Sequence, residues 1–389
     1  MLRCNRWFWA GCLVAALLPT AAWAHVKWFE DAARFPVRPD LVLSNRTYLW
    51  LGASTVTLLW LSMAQRLLGS GWPDVGFLRR MGAGAPTVLG IQAAICLASA
   101  AVRPALLAPN LSLPQSPLGF GLAGLELVVA ATLVTGIADW LGAIALLALI
   151  PVTALLYSPL DALEQGVWVG IAVMIAVVGR RGVDGASVRA ALKDRAAAWA
   201  TRSVAILRTT TGLAIIAAAL TEKLWNPALG AAFLAHHPSF NVFHAQLGLP
   251  WFTDDLFVLL AGIGEGTIGV LLVSGCLTRV VVLGMWLPFN LGIPFLPPQE
   301  LIGHLPILAT MYVLLVHGPG SLAWQPGLAA IARTCQARAR STLGLIPRFD
   351  PRAVRERGYA SWGLESALTP WTVNQATTPA QLREQKWWI

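Results

Sequence analysis

The sequence predicts an all-α fold, a polytopic transmembrane helical bundle of about nine helices after a cleaved signal peptide, with two parallel repeats. Three observations carry that prediction. Of the 389 residues 56% are hydrophobic and 12% charged, with a mean hydropathy of +0.63, whereas a soluble domain carries about twice that charged fraction. The apolar residues fall in continuous runs long enough for a hydrocarbon core of about 30 Å, and helices are the sensible way for such runs to cross it. Finally, the chain repeats itself at an offset of 139 positions: Glu126 falls on Glu265, Leu133-Val134-Thr135-Gly136 on Leu272-Val273-Ser274-Gly275, Pro159 on Pro298, Asp161 on Glu300 and Gly179 on Gly318, without a gap. Coincidence at special residues as well as apolar ones is the mark of a duplicated unit.

In chain order, residues 1–24 read as a signal peptide. Arg3 and Arg6 precede an apolar stretch from Trp7 to Leu18, and Ala22-Trp23-Ala24 has the small-x-small pattern of a cleavage site, which makes His25 the first mature residue. Residues 25–47 form a polar N-terminal segment in which Pro36 and Pro39 break any helix. A first membrane unit, 48–179, contains an extra helix near Tyr48 to Leu68 and the first repeat, with spans near Ala85 to Leu107, Leu118 to Ile137, Trp140 to Tyr157 and Ala162 to Val178. A basic linker, 180–203, leads to the second unit, 204–318, with spans near Val204 to Leu220, Leu256 to Ser274, Val280 to Phe295 and Leu301 to Val316. Between the first two of these, residues 221–255 are too long for a simple connector, and Trp225, Phe233, Phe240, Phe243 and Trp251 predict short interfacial helices. The tail, 319–389, is polar and basic, of a kind that touches anionic lipid.

Charge placement orients the bundle. Arg79, Arg80, Arg180, Arg181, Arg189, Lys193, Arg195, Arg202, Arg279, Arg333, Arg338, Arg340 and Arg348 fall in alternate loops, while 108–117, 158–161 and 297–300 contain no Lys or Arg and 221–255 only Lys223. The rule that positive loops stay inside then puts the mature N-terminus in the periplasm and the C-terminus in the cytoplasm of a bacterial inner membrane. The net charge of +9 is accounted for by this pattern, not by a nucleic-acid-binding face. No cysteine pair, CxxC, P-loop, nucleotide-binding glycine fingerprint or HExxH is present.

Ionisable residues within such a chain are the candidates for chemistry. A carboxylate inside a span costs a few kcal/mol and faces the bundle interior or water, so Glu265 and Glu126 read either as a proton-accepting or ligand-holding pair or as acids bonded to neighbouring helices. Glu300 and His304 stand four residues apart on one helical face, where the first repeat has Asp161 and Gln165; they read either as an acid–base pair or as a first-turn acid answering the helix dipole beside an interfacial histidine. His25, His236, His237 and His244 lie on the outer side, with Glu222 at the start of the long loop. An N-terminal histidine offers an amine and a ring to a metal, and Cu(II) suits such nitrogen ligands, although the spacing follows no fixed metal motif.

Thr221-Glu222-Lys223-Leu224-Trp225-Asn226-Pro227, the glycine-rich span carrying Glu265, and the turn Gly275-Cys276-Leu277-Thr278-Arg279 together resemble the DoxX/DoxD-like group of four-helix membrane proteins. The resemblance covers about residues 204–318 and, through the repeat, 85–179 more faintly; the mature start His25-Val26-Lys27-Trp28-Phe29 is similar to that of exported bacterial membrane proteins of this type. It implies a role in redox or thiol homeostasis, some members being subunits of a thiosulfate:quinone oxidoreductase. The leading expectation is thus an inner-membrane protein supporting quinone-linked redox chemistry at the periplasmic face, with Glu265, Glu300 and His304 exchanging protons with a bound headgroup. The alternatives are a copper-handling or small-solute transport protein using His25 and the loop histidines, and a structural subunit docking redox or other membrane-complex partners through its tail. The bilayer is the one partner that all three share.

Overall fold

Helix boundaries in this chain are set by a few local devices acting on long apolar runs. The computed structural model describes residues 25–68, 76–82, 84–179, 195–292 and 298–321. The signal segment 1–24, the linker residues 180–194 and the tail from 322 onward lie outside the described residues, as does the side chain of Glu300.

Thirteen helices are named in order: α1 Asn45–Leu68, α2 Gly76–Gly82, α3 Ala85–Val102, α4 Pro117–Thr135, α5 Asp139–Leu156, α6 Pro159–Glu164, α7 Gly166–Val178, α8 Ala196–Ala219, α9 Pro227–His236, α10 Val242–Ala245, α11 Asp254–Ser274, α12 Thr278–Gly292 and α13 Pro298–His317. A π-helical turn, Leu220–Leu224, extends α8. Among the described residues the β-structure is one isolated bridge, between Ala105 and Ser112. Five helical stretches, Ala85–Val102, Pro117–Thr135, Asp139–Leu156, Ala198–Leu224 and Asp254–Ser274, are long and apolar enough to cross a membrane. The chain is a multi-pass helical bundle.

Capping explains the starts. Ser116, Ser158, Asn226 and Thr253 each accept a backbone N–H of the first turn, and in the first three cases the next residue is Pro117, Pro159 or Pro227, whose missing N–H costs nothing there. The ends use left-handed residues: α4 stops at Gly136 (φ 73°) and α11 at Gly275 (φ 73°), followed by Ala138 (φ 52°) and Leu277 (φ 42°); α7 and α13 stop at Gly179 (φ 66°) and Gly318 (φ 74°).

The helices gather in two sets. α3, α4, α5 and α7 pack in one, α8, α11, α12 and α13 in the other, and α1 lies along α11. The sets join through α7 against α8 and α13 against α3. At the first seam a Cβ placed on Gly170 would come within 2.5 Å of Leu207 Cα, so the two backbones touch. One apolar core runs through both sets, including Leu89, Leu97, Trp168, Ile171 and Met174 on one side and Leu272, Val313 and Leu314 on the other. A second cluster caps one end, where Val26 sits among Leu229, Phe233, Phe257 and Val258.

Several boundaries differ from the sequence reading, each for a physical reason. The expected span to Leu107 ends as helix at Val102; residues 103–113 then fold back with Leu106 and Leu107 buried, and Leu107 is left-handed (φ 63°). The expected span from Ala162 is broken at Gln165 into α6 and α7. The expected linker to residue 203 is already helical from Ala196. The predicted boundary after Leu220 is continued helix to Leu224, with Glu222 buried instead of starting a loop. Residues 25–44 carry three short 3-10 turns, Val26–Trp28, Ala32–Arg34 and Pro39–Leu41, the first of which inserts into the end of the bundle.

Candidate functional site: a buried chain of acids and bases

The site is assembled where the first 3-10 turn meets α6, the π-turn, α11 and α13. Glu222 receives the backbone N–H of Val26 at 2.7 Å on one oxygen and faces His25 Nδ1 at 3.3 Å with the other. The next residue, Lys223, donates to Glu265 Oε2 at 2.9 Å and lies 3.9 Å from Glu222. All three charged side chains are nearly sealed from solvent, a situation tolerated only when charges are paired.

Lys27 supplies a second branch. Its ammonium donates to Glu164 Oε1 at 2.5 Å and to Asp161 Oδ1 at 3.2 Å, and the Thr221 hydroxyl donates to the same Glu164 oxygen. Asp161 is held by the Ser158 hydroxyl at 2.6 Å. Burial acts to lower the Lys27 pKa, but Glu164, Glu222 and Asp161 together outweigh it and hold the ammonium above its ordinary value of 10.5. Lys27 is therefore a fixed positive charge among three carboxylates.

Aromatic rings close the assembly. Trp28 stacks on His25 at 4.5 Å between centroids and lies 4.9 Å from the His304 ring, itself 5.6 Å from His25. Gly303 forms the seat of the indole, because any Cβ there would collide with it. Beneath lies a chamber of about 40 Å³ bordered by His25, Trp28, Glu164, Gln165, Thr211 and Gly303 among others.

The structure thus brings Glu265, His304 and His25 into one end of the bundle, and Glu300 lies in the first turn of α13 with its side chain outside the described residues. Glu126 is placed differently. Its Oε1 accepts the Leu107 N–H at 2.7 Å and its Oε2 is buried without a hydrogen-bond partner. In both helical sets a carboxylate on the second helix reaches the extension of the first, but Glu126 finds a backbone amide where Glu265 finds an ammonium. Asp161 and His304 both reach the N-terminal turn, one through Lys27 and the other through Trp28.

The loop histidines take separate partners: His236 Nδ1 lies 2.6 Å from Glu30, His237 is packed among Phe29, Phe233 and Phe240, and the His244 backbone amide caps onto Asn241. Among the described residues there is no group of three or more His, Cys, Asp or Glu side chains that could hold a metal ion. The expected copper set of His25, His236, His237 and His244 is not gathered into one centre.

Sequence reasoning passed over Lys27, Glu164 and Lys223. Glu164 carried a usable signal, being an acid within an apolar run and so subject to the rule that singled out Glu126 and Glu265. Lys27 and Lys223 sat in stretches that read as polar surroundings, where a lysine is ordinary. Chemically, the arrangement is a row of neighbouring ionisable groups from the middle of α11 to the end of the bundle, in contact at Glu265–Lys223 and Glu222–His25 and 3.9 Å apart between Lys223 and Glu222. Compared with protein-family models, with characterised proteins and with solved structures, the chain matches none.

Proposed function

We propose that this chain is a DoxX/DoxD-like inner-membrane protein that supports quinone-linked redox chemistry at the periplasmic end of its bundle, exchanging protons between a bound headgroup and the buried acid–base chain. One observation carries the reading: Glu265 is hydrogen-bonded to Lys223, whose ammonium is 3.9 Å from Glu222, and Glu222 faces His25 at 3.3 Å, so ionisable groups adjoin one another from within a membrane-length helix to the bundle end. Ionisable groups at such depth cost several kcal/mol unless compensated, and they mark proton or ion paths. Reduction of a quinone takes up two protons with two electrons, so a carrier held in the bilayer needs such a series beside it.

Within this reading the nine spans comprise one leading helix and two like-oriented four-helix units. The recurrence of left-handed residues 136, 138 and 179 at 275, 277 and 318 supports the duplication, and so does the way each set contributes its first and last helices to the seams. The second unit is the active copy, because its carboxylate Glu265 is paired with a titratable partner and His304 stands where the first unit has Gln165. The scarcity of Lys and Arg in residues 108–117, 158–161, 221–255 and 297–300 supports a periplasmic position for this end.

The test is thiosulfate-dependent reduction of a short-chain ubiquinone by membranes carrying the protein. Glu265→Gln keeps the shape and a hydrogen-bond acceptor but cannot shuttle protons, and is expected to lower the rate by about 10²- to 10⁴-fold, the usual span of general acid–base catalysis. Wild-type turnover in that variant overturns the assignment.

A further inference from the structure

The chamber below Trp28 is built for something smaller than a headgroup. About 40 Å³ holds about three water molecules, at about 10–15 Å³ each, provided polar partners are present. They are: His25, Glu164, Gln165 and Thr211 all border the space. Thr211 is 2% exposed, and its hydroxyl oxygen has no hydrogen-bond partner within the protein. It stands on α8 amid the apolar Ala214 and Ile215, where a hydroxyl without a partner is destabilising. A valine of the same shape would avoid that cost, so the hydroxyl is placed for a ligand.

We propose that the chamber is a proton-transfer site in which about three ordered waters join Thr211 and Gln165 to Glu164 and His25. This deepens the proton-exchange reading above and rests on it for its purpose. Glu164 is the terminus because it touches both the chamber and the ion-pair web. Lys27 from the N-terminal turn, Thr221 and Glu222 from the π-turn, and Asp161 on its own helix surround it. A proton entering one end of the row releases another at the far end, with no net change in the waters. The location, between α6, α7, α8 and α13, is the seam of the two helical sets.

An experimental structure of the full chain that shows ordered water is expected to place water within hydrogen-bond reach of the Thr211 hydroxyl, and a dry chamber overturns the proposal. Thr211→Val is expected to lose that water. It is also expected to slow protonation of Glu164 after a pH jump by about tenfold, the effect of one unmade buried hydrogen bond. That rate is followed on an infrared carboxyl band assigned with Glu164→Gln. Thr211→Ser is expected to restore both. Should Thr211→Val fail to fold, Gln165→Met takes its place and is expected to slow the same band. Wild-type kinetics in Thr211→Val, or in Gln165→Met where that replaces it, sink the proposal even with water in the map. If the band behaves as stated while Glu265→Gln leaves quinone reduction intact, the redox reading fails and the water site stands.

Discussion

Lys27 shows how one residue can fasten a segment that the sequence presents as a loose polar leader. Its side chain is 8% exposed and its pairing with Glu164 closes a contact between positions 137 residues apart. Removing one member of a buried pair leaves the other charged and without its counterion, so Lys27→Met is expected to cost about 3–5 kcal/mol at neutral pH. Replacing both members, as in Lys27→Met with Glu164→Leu, is expected to recover most of that, because a buried pair is often worth no more than well-packed apolar residues. Denaturant unfolding in detergent measures both, and a single variant as stable as wild type removes Lys27 as a fastener. The pH dependence has a definite sign. With the folded pKa raised above 10.5, the stabilisation is complete below the unfolded value and is lost as pH rises through the folded one. Wild type is therefore expected to lose stability on the alkaline side, above about pH 10.5, and Lys27→Met to show a smaller decline there. Gly303 acts on the neighbouring residue: Gly303→Ala is expected to displace Trp28 and cost about 1–3 kcal/mol, the range for overpacking a filled site. Its readout is a change in the tryptophan emission that Trp28→Phe abolishes.

At the scale of elements, helix ends carry more information than helix middles. The left-handed Gly136 and Gly275 close α4 and α11. A Cβ at such a φ costs about 1–2 kcal/mol, so Gly136→Ala and Gly275→Ala are each expected to destabilise by about that amount in the same unfolding assay. A large cost at one and none at the other would mean that the two turns are not equivalent. Arginines reinforce helix ends as well: Arg208 donates to the Leu272 carbonyl in the last turn of α11 at 2.7 Å, and Arg279 to those of Leu315 and Val316 at the end of α13 at 2.8 Å. The positions of the helices were legible in the sequence because apolar runs of span length have few other uses. Their limits were less so. Thr221-Glu222-Lys223 reads as a polar boundary, yet each of the three finds a buried partner and the helix runs on. The apolar run past Val102 reads as span, yet it buries its side chains as a folded-back loop that Glu126 holds through Leu107. For the site, Glu265 stood out as an acid in apolar company, His304 by standing four residues from Glu300, and His25 as the expected first residue of the mature chain. Lys27 and Lys223 did not, since what makes them special is a partner 137 or 42 positions away, and pairing at such separations leaves no periodic trace along the chain.

For the whole molecule, the question is what joins the two helical sets. Two seams do so in the body of the bundle, α7 on α8 and α13 on α3, and the N-terminal turn bridges them at one end, reaching Glu164 and Asp161 on one side and Glu222 and His304 on the other. The first seam brings backbone against backbone at Gly170 and Leu207, and the core continues across both. In a bilayer, close approach of this kind is the chief source of helix association, because lipid offers no hydrophobic drive between apolar surfaces. Covalent continuity between Gly179 and Arg195 should then be dispensable. A chain severed within residues 180–194 and co-expressed as two pieces is expected to yield a complex in which a tag on the second piece recovers the first from detergent. Gly170→Leu, which forces the seam apart, is expected to abolish that recovery, and Lys27→Met to weaken it. Recovery of the tagged piece alone would show that the sets are held by the linker, and the shared chamber, with the proton row through it, would lose its walls.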